Sequence, residues 1–218
     1  MALILNIDTA LQSGSVCLSN NEVLLALKVN TEQHQQASWV HQAIAQVMAE
    51  TGIALHELQA VAVSNGPGSY TGLRIGLSTA KGICFALKIP LICINTLQMM
   101  ASVIVSKEYD FFCPMIDARR MEVFTAVYDK QLNIIEKPQA KILDENSFAD
   151  ILQNNKVLFT GDGVPKFQQI VNFPQANFIQ QHFNAGNLIP LSLHKFKSTT
   201  FSNLAYTEPE YLKAVHLT

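Results

Sequence analysis

The chain opens on three short stretches with strand-like patterning. Leu3 to Asp8 is an apolar run, Ser13 to Ser19 alternates after a turn at Ser13-Gly14, and Val23 to Val29 follows a turn at Asn20-Asn21. Such spacing predicts an antiparallel meander. From Gln35 to Glu50 the period changes: Trp39, Val40, Ala43, Ile44, Val47 and Met48 recur at helical spacing, and Gly52 supplies the stop. A short apolar run, Leu58 to Ser64, leads into a glycine- and proline-rich loop. Thr71 to Leu87 then reads as a helix that ends before Pro90, and Leu91 to Ile94 as a further strand.

Three strands, helix, strand, helix, strand is the order of a ribonuclease-H-like α/β lobe with a mixed sheet. A second series echoes it. Phe111 to Ile116, Glu122 to Tyr128 and Ile134 to Glu136 read as strands, Glu145 to Gln153 as a helix and Val157 to Thr160 as a strand. Two similar lobes, 1–100 and a smaller 101–218, joined by a helix around Leu97 to Val105, are therefore expected. Beyond Val164 the pattern blurs into turns and scattered short helices, and the C-terminal segment is expected to pack back on the first lobe.

At 218 residues with 49% hydrophobic content the chain can bury a sizeable core. Its net charge of −2 and pI near 6.3 leave no broad basic surface for an RNA backbone, so any service to RNA is expected to run through a partner. Cys17, Cys84, Cys93 and Cys113 lie in apolar runs without CxxC spacing, which predicts reduced, buried thiols and a cytoplasmic location. No apolar run of about 18 residues occurs, so no membrane association is expected.

Chemistry concentrates at GPGSYTGLRIGLSTAKG, Gly66 to Gly82, between a strand and a helix. Gly66 and Gly68 permit a tight backbone turn, and Ser69, Tyr70 and Thr71 then offer amides and a cap at a helix N-terminus, a place that can accept phosphate. The same loop is equally a plain strand-to-helix connection. It holds no Walker lysine, and Pro67 breaks the GxSxG elbow that a serine hydrolase would need at Ser69. Gly161-Asp162-Gly163, after the strand ending at Thr160, is a second loop open to both readings. Asp8 and Asp117 each close the first strand of a lobe, as cleft acids or as strand-end carboxylates satisfied by nearby amides. His34 and His41 are seven residues apart, too far to clamp one ion from a helix.

The glycine-loop motif, the opening LILNIDTA (Leu3 to Ala10) and MIDARRMEV (Met115 to Val123) together resemble the signature set of the TsaB (YeaZ) family. Pro209-Glu210-Tyr211-Leu212-Lys213 is similar to that family's near-terminal motif, with Lys213 where arginine is usual. The resemblance implies two ribonuclease-H-like lobes of the actin, Hsp70 and sugar-kinase fold. It implies a non-catalytic subunit, without protease activity, that supports the transferase TsaD in placing threonylcarbamoyl on adenosine 37 of tRNA. An ATPase, TsaE, would join the pair, tRNA would be met only through the complex, and the chain alone would form a homodimer. No tightly bound cofactor or metal is implied, with ATP or ADP placed, if anywhere, at the interface with TsaD.

TsaD carries metal ligands on a helix after its glycine loop. Aligned from that loop, Asn95 to Met100 falls there, with Thr96 and Met100 at the ligand positions. Asp117, Arg119, Arg120 and Glu122 belong to the family motif, with a structural or partner-contact role. The expected docking and dimer surface is the pair of first helices: Trp39, Val40, Ile44 and Val47, with Gly72, Leu73, Gly76, Leu77, Ala80 and Cys84, whose small-residue spacing would admit another helix. The rival reading is an autonomous nucleotide-using kinase or ATPase of the same fold.

Overall fold

The structure, a computed structural model, describes residues 2–30 and 36–213; His34 and Gln35 lie outside the described residues. The chain divides into two compact units. One spans 1–96 and 183–210, the other 97–182 with the residues from 211 on. The boundary near residue 100 thus falls after Thr96, and 183–210 belong with the first unit rather than with a lobe running from 101 to 218.

In the first unit β1 (Leu3–Asp8), β2 (Ser15–Asn20), β3 (Val23–Val29), β4 (Ala60–Ser64) and β5 (Leu91–Ile94) form one sheet in the order β3-β2-β1-β4-β5. The meander pairs antiparallel, with Leu5 opposite Leu18 and Ile7 opposite Val16; β4 and β5 then add parallel to β1. Alternation along the strands decides the layers. Leu5, Ile7, Val16, Leu18, Val61 and Val63 pack with α1 (Gln36–Thr51) and α2 (Tyr70–Leu87). Cys17 and Leu27, on the opposite face, meet a short 3-10 turn, Ala185–Leu188, and Ile189 of the last helix.

α3 (Thr96–Ile104) leads to the second unit, where β6 (Phe111–Asp117), β7 (Glu122–Tyr128), β8 (Ile134–Ile142), β9 (Val157–Thr160) and β10 (Ala176–Ile179) are ordered β10-β9-β6-β7-β8. Read from the other edge this is the order of the first unit, with the same antiparallel and parallel pairings. Both units are therefore ribonuclease-H-like, the paired lobes of the actin, Hsp70 and sugar-kinase fold. The helices differ. α4 (Ala149–Leu152) and α5 (Val164–Gln168) are single turns, and Phe148, Phe159, Phe167 and Phe178 fill the core in edge-on and stacked contacts 5.0 to 6.4 Å apart. The last helix, α6 (Ile189–Lys197), carries Pro190 in its first turn and lies against β1 and β5.

Candidate functional site

The glycine loop of the first unit is occupied by the chain itself. Gly66 has φ +120°, and a Cβ there would fall within 3.0 Å of the Glu210 carbonyl oxygen; a Cβ on Gly68 would strike the carbonyl of Ala10. The Ser69 amide donates to that same Ala10 oxygen at 2.8 Å, and Ser69 Oγ caps α2 by accepting from the Gly72 amide at 3.2 Å. A strap from the C-terminal segment closes the other side. The Glu210 amide donates to the Asn65 carbonyl (2.8 Å), Asn65 Nδ2 to the Glu208 carbonyl (3.0 Å), and Asn95 Nδ2 to Glu210 Oε2 (2.8 Å). Lys81 Nζ reaches the carbonyls of Ala205 and Thr207. A phosphate laid on Gly66 and Gly68 would face carbonyl oxygens, so the loop does not fit that group, and its glycines serve close backbone approach.

Asp8 lies beside this loop and is fully buried. Its Oδ1 accepts from Ser64 Oγ at 2.5 Å and from the Ala10 amide at 3.0 Å, while Oδ2 meets no donor among the described residues. Burial pushes its pKa upward, opposed by the hydrogen bonds from Ser64 and Ala10. One oxygen is thus satisfied by neighbouring groups, as a strand-end carboxyl would be, and the other is not. Thr96, at one of the positions aligned with the transferase's metal ligands, is buried, as is Met100 at the other. Among the described residues no three histidine, cysteine or acidic side chains gather in a way that could hold a metal ion.

The second unit repeats the plan with different chemistry. Gly161, at φ +110°, abuts the Met115 carbonyl, and a Cβ on Gly163 would meet Val123, so this loop too is closed by its own neighbours and opens a helix of only five residues. Asp117, unlike Asp8, is exposed. It pairs with Lys166 at 2.6 Å and accepts from the Arg119 amide, and its own amide donates to Asp162 Oδ1 at 2.9 Å. Glu122 is paired with Lys213. Between β6 and β7 the backbone turns through Arg119 (φ +69°) and Arg120 (φ +51°), two consecutive left-handed residues with side chains. Each costs on the order of 1 kcal/mol relative to an ordinary turn.

The docking surface needs correcting. On α1, Val40, Ile44 and Val47 are buried, and Trp39 is half-buried, its ring 3.4 Å from where a Cβ on Gly14 would sit. On α2, Gly72, Leu73, Gly76, Leu77, Ala80 and Cys84 are all buried. The small-residue stripe admits the residue that follows the unit's own β1: a Cβ on Gly76 would strike Thr9 Oγ1, whose hydroxyl donates to the Gly72 carbonyl at 2.7 Å. The apolar stripe is the one the sheet requires. The outward faces carry His41, Gln42, Ala45 and Ala49 on α1 and Arg74, Ser78, Gly82 and Phe85 on α2, with Phe85 78% exposed. Arg74 lies over the Tyr70 ring at 4.0 Å. Ser64, Asn65, Asn95 and Glu210 were not singled out as site residues from sequence. The one signal for them was the Pro209-Glu210-Tyr211 motif, which marks the strap but not what it grips.

The four cysteines are free thiols; burial pushes Cys17 and Cys113 up to about 12 and Cys84 to about 11. No helix among the described residues is long and apolar enough to cross a membrane.

A family model described as "TsaD: tRNA N6-adenosine threonylcarbamoyltransferase" matches residues 28–217. The chain belongs to this family and, within it, to the TsaB (YeaZ) group. It is 28% identical over 203 residues to the tRNA threonylcarbamoyladenosine biosynthesis protein TsaB of Buchnera aphidicola subsp. Acyrthosiphon pisum, covering 90% of each chain. It is 28% identical over 175 residues to TsaB of Bacillus subtilis, covering 77% of this chain and 74% of that one. Its fold is similar to the solved structure of YeaZ from Pseudomonas aeruginosa, at 21% identity and a TM-score of 0.80 over 97% of this chain and 100% of that one.

Proposed function

We propose that this chain works in the biosynthesis of threonylcarbamoyladenosine on tRNA, as the non-catalytic partner of a TsaD-type transferase. Family membership and the names of its TsaB relatives support the pathway. The observation that carries the non-catalytic role is Asp8: the carboxyl placed where this fold's nucleotide users keep a cleft acid is fully buried, with its pKa raised and one oxygen held by Ser64 and Ala10. With no surface open to solvent, that carboxyl is out of reach of a substrate or a solvated ion in this arrangement. Thr96 and Met100, both buried, supply no imidazole or carboxylate where the transferase holds its metal.

In this reading the outward faces of α1 and α2 dock on the transferase, the chain alone pairs with a second copy through the same faces, and a TsaE-type ATPase joins the assembly. A nucleotide belongs only at the joint surface with the transferase, and tRNA is engaged by the assembly. The test is reconstitution. Purified transferase, a source of threonylcarbamoyl adenylate and unmodified tRNA are incubated with and without this chain, and modified adenosine is counted. Modification that depends on the chain supports the reading; equal yield without it overturns it.

A further inference from the structure

Two of the chain's three arginines stand side by side at the tip of the β6–β7 turn, while its other twelve basic side chains are lysines. Both are exposed, and among the described residues neither guanidinium enters an ion pair or side-chain hydrogen bond. The nearby carboxylates do not draw them: Asp117 is taken by Lys166, Glu122 by Lys213, and Asp162 by the amide of Asp117. Among the described residues the two cations are left uncompensated, on a turn whose left-handed backbone would suit glycine or asparagine better. A lysine would serve a solvated tip equally well; a guanidinium adds a planar fork that grips an oxyanion through two parallel N–H donors.

We propose that Arg119 and Arg120 form a contact for adjacent backbone phosphates of an RNA. The site is small, in keeping with a chain of net charge −2, and adds to a larger footprint supplied elsewhere in an assembly. It rests on the reading that the chain serves tRNA modification, which makes RNA the polyanion at hand.

The test is the double variant Arg119→Asn with Arg120→Gly, which fills both left-handed positions with residues that adopt them readily. It removes the forks while relieving the backbone, so its Tm is expected to rise; a fall would mean the arginines hold the turn, and would overturn the proposal. The main readout is tRNA binding by the assembly of chain and transferase across a salt series. Losing two phosphate contacts should weaken binding about tenfold at low salt and flatten the slope of log K against log salt by about 1.4 to 1.8. An unchanged affinity and slope overturn the proposal, and so does a variant that fails to join the transferase, since the turn then contacts protein. If the wild-type chain joins no transferase, the functional reading fails instead. The contact is then read on the chain alone at about 20 mM salt with an RNA hairpin: binding lost only in the variant supports it, and no wild-type binding overturns it.

Discussion

The two units share one strand order and differ in what is laid on it. The first covers its sheet with helices of 16 and 18 residues, whose inner faces are aliphatic and whose outer faces are left to solvent; the second uses helices of 4 and 5 residues and an aromatic cluster instead. Their strand-end aspartates diverge likewise. Asp8 is sealed beneath a loop and a C-terminal strap, while Asp117 sits exposed in a network with Lys166 and the arginine turn. One topology thus yields a unit with two long helices whose outer faces meet solvent and a unit that presents charge, and neither glycine loop is open to a phosphate.

The largest effects should come from breaking what each unit uses as core. Phe167→Ala removes the ring that touches Phe148, Phe159 and Phe178, and should cost about 3–5 kcal/mol in chemical denaturation. Gly66→Ala and Gly161→Ala each set a Cβ against a carbonyl oxygen at a positive φ, and should each cost roughly 2–5 kcal/mol. A tolerant Gly66 together with an intolerant Gly161 would undo the parallel between the loops.

Next is the outer face of the first unit. Gly76→Arg is a poor probe, because the side chain would be driven into Thr9 and Val63, and the protein should unfold. Ser78→Arg and Phe85→Glu alter exposed positions and should leave the melting curve within a few degrees of wild type. They should weaken both self-association and transferase binding by tenfold or more, as sedimentation and titration calorimetry would show. A folded Phe85→Glu chain with both affinities unchanged places the docking surface elsewhere.

How much of this was legible in sequence follows from how local each cause is. Strand and helix order came through because apolar periodicity is set by the sheet each element covers, as for Leu5 and Ile7 on β1. β10 was missed and α6 was expected only as one of several unplaced short helices: β10 is a short, half-exposed edge strand, and α6 carries Pro190 in its first turn amid a polar tail. The docking stripe misled because an apolar helix face reads the same whether it meets its own sheet or a partner. Only the tertiary contact of Gly76 with Thr9 separates the two. Closure of the glycine loop by Glu210 lies far along the chain and has no local signature.

The smaller effects separate the two aspartates. Asp8 has a folded pKa above its ordinary value near 3.8, so the native state binds the extra proton, and stability falls as pH rises from there through the folded pKa. Asp8→Asn should flatten that decline, which is worth at most about 1.4 kcal/mol per pH unit, and be the more stable protein at neutral pH. Asp117→Asn should change stability by about 0.5 kcal/mol or less, because its pair with Lys166 is partly solvated. Gly82→Ala, with open space at its Cβ, should stabilise α2 by about 0.5–1 kcal/mol.

The central claim is that the chain supports a transferase without contributing a chemical group. Its sharpest test is the initial rate of threonylcarbamoyladenosine formation by transferase assembled with the Asp8→Asn chain, measured beside an assembly with the wild-type chain at equal occupancy. The account predicts rates equal within about twofold; a loss of a thousandfold or more in a folded, fully assembled complex would make Asp8 a catalytic residue and contradict it.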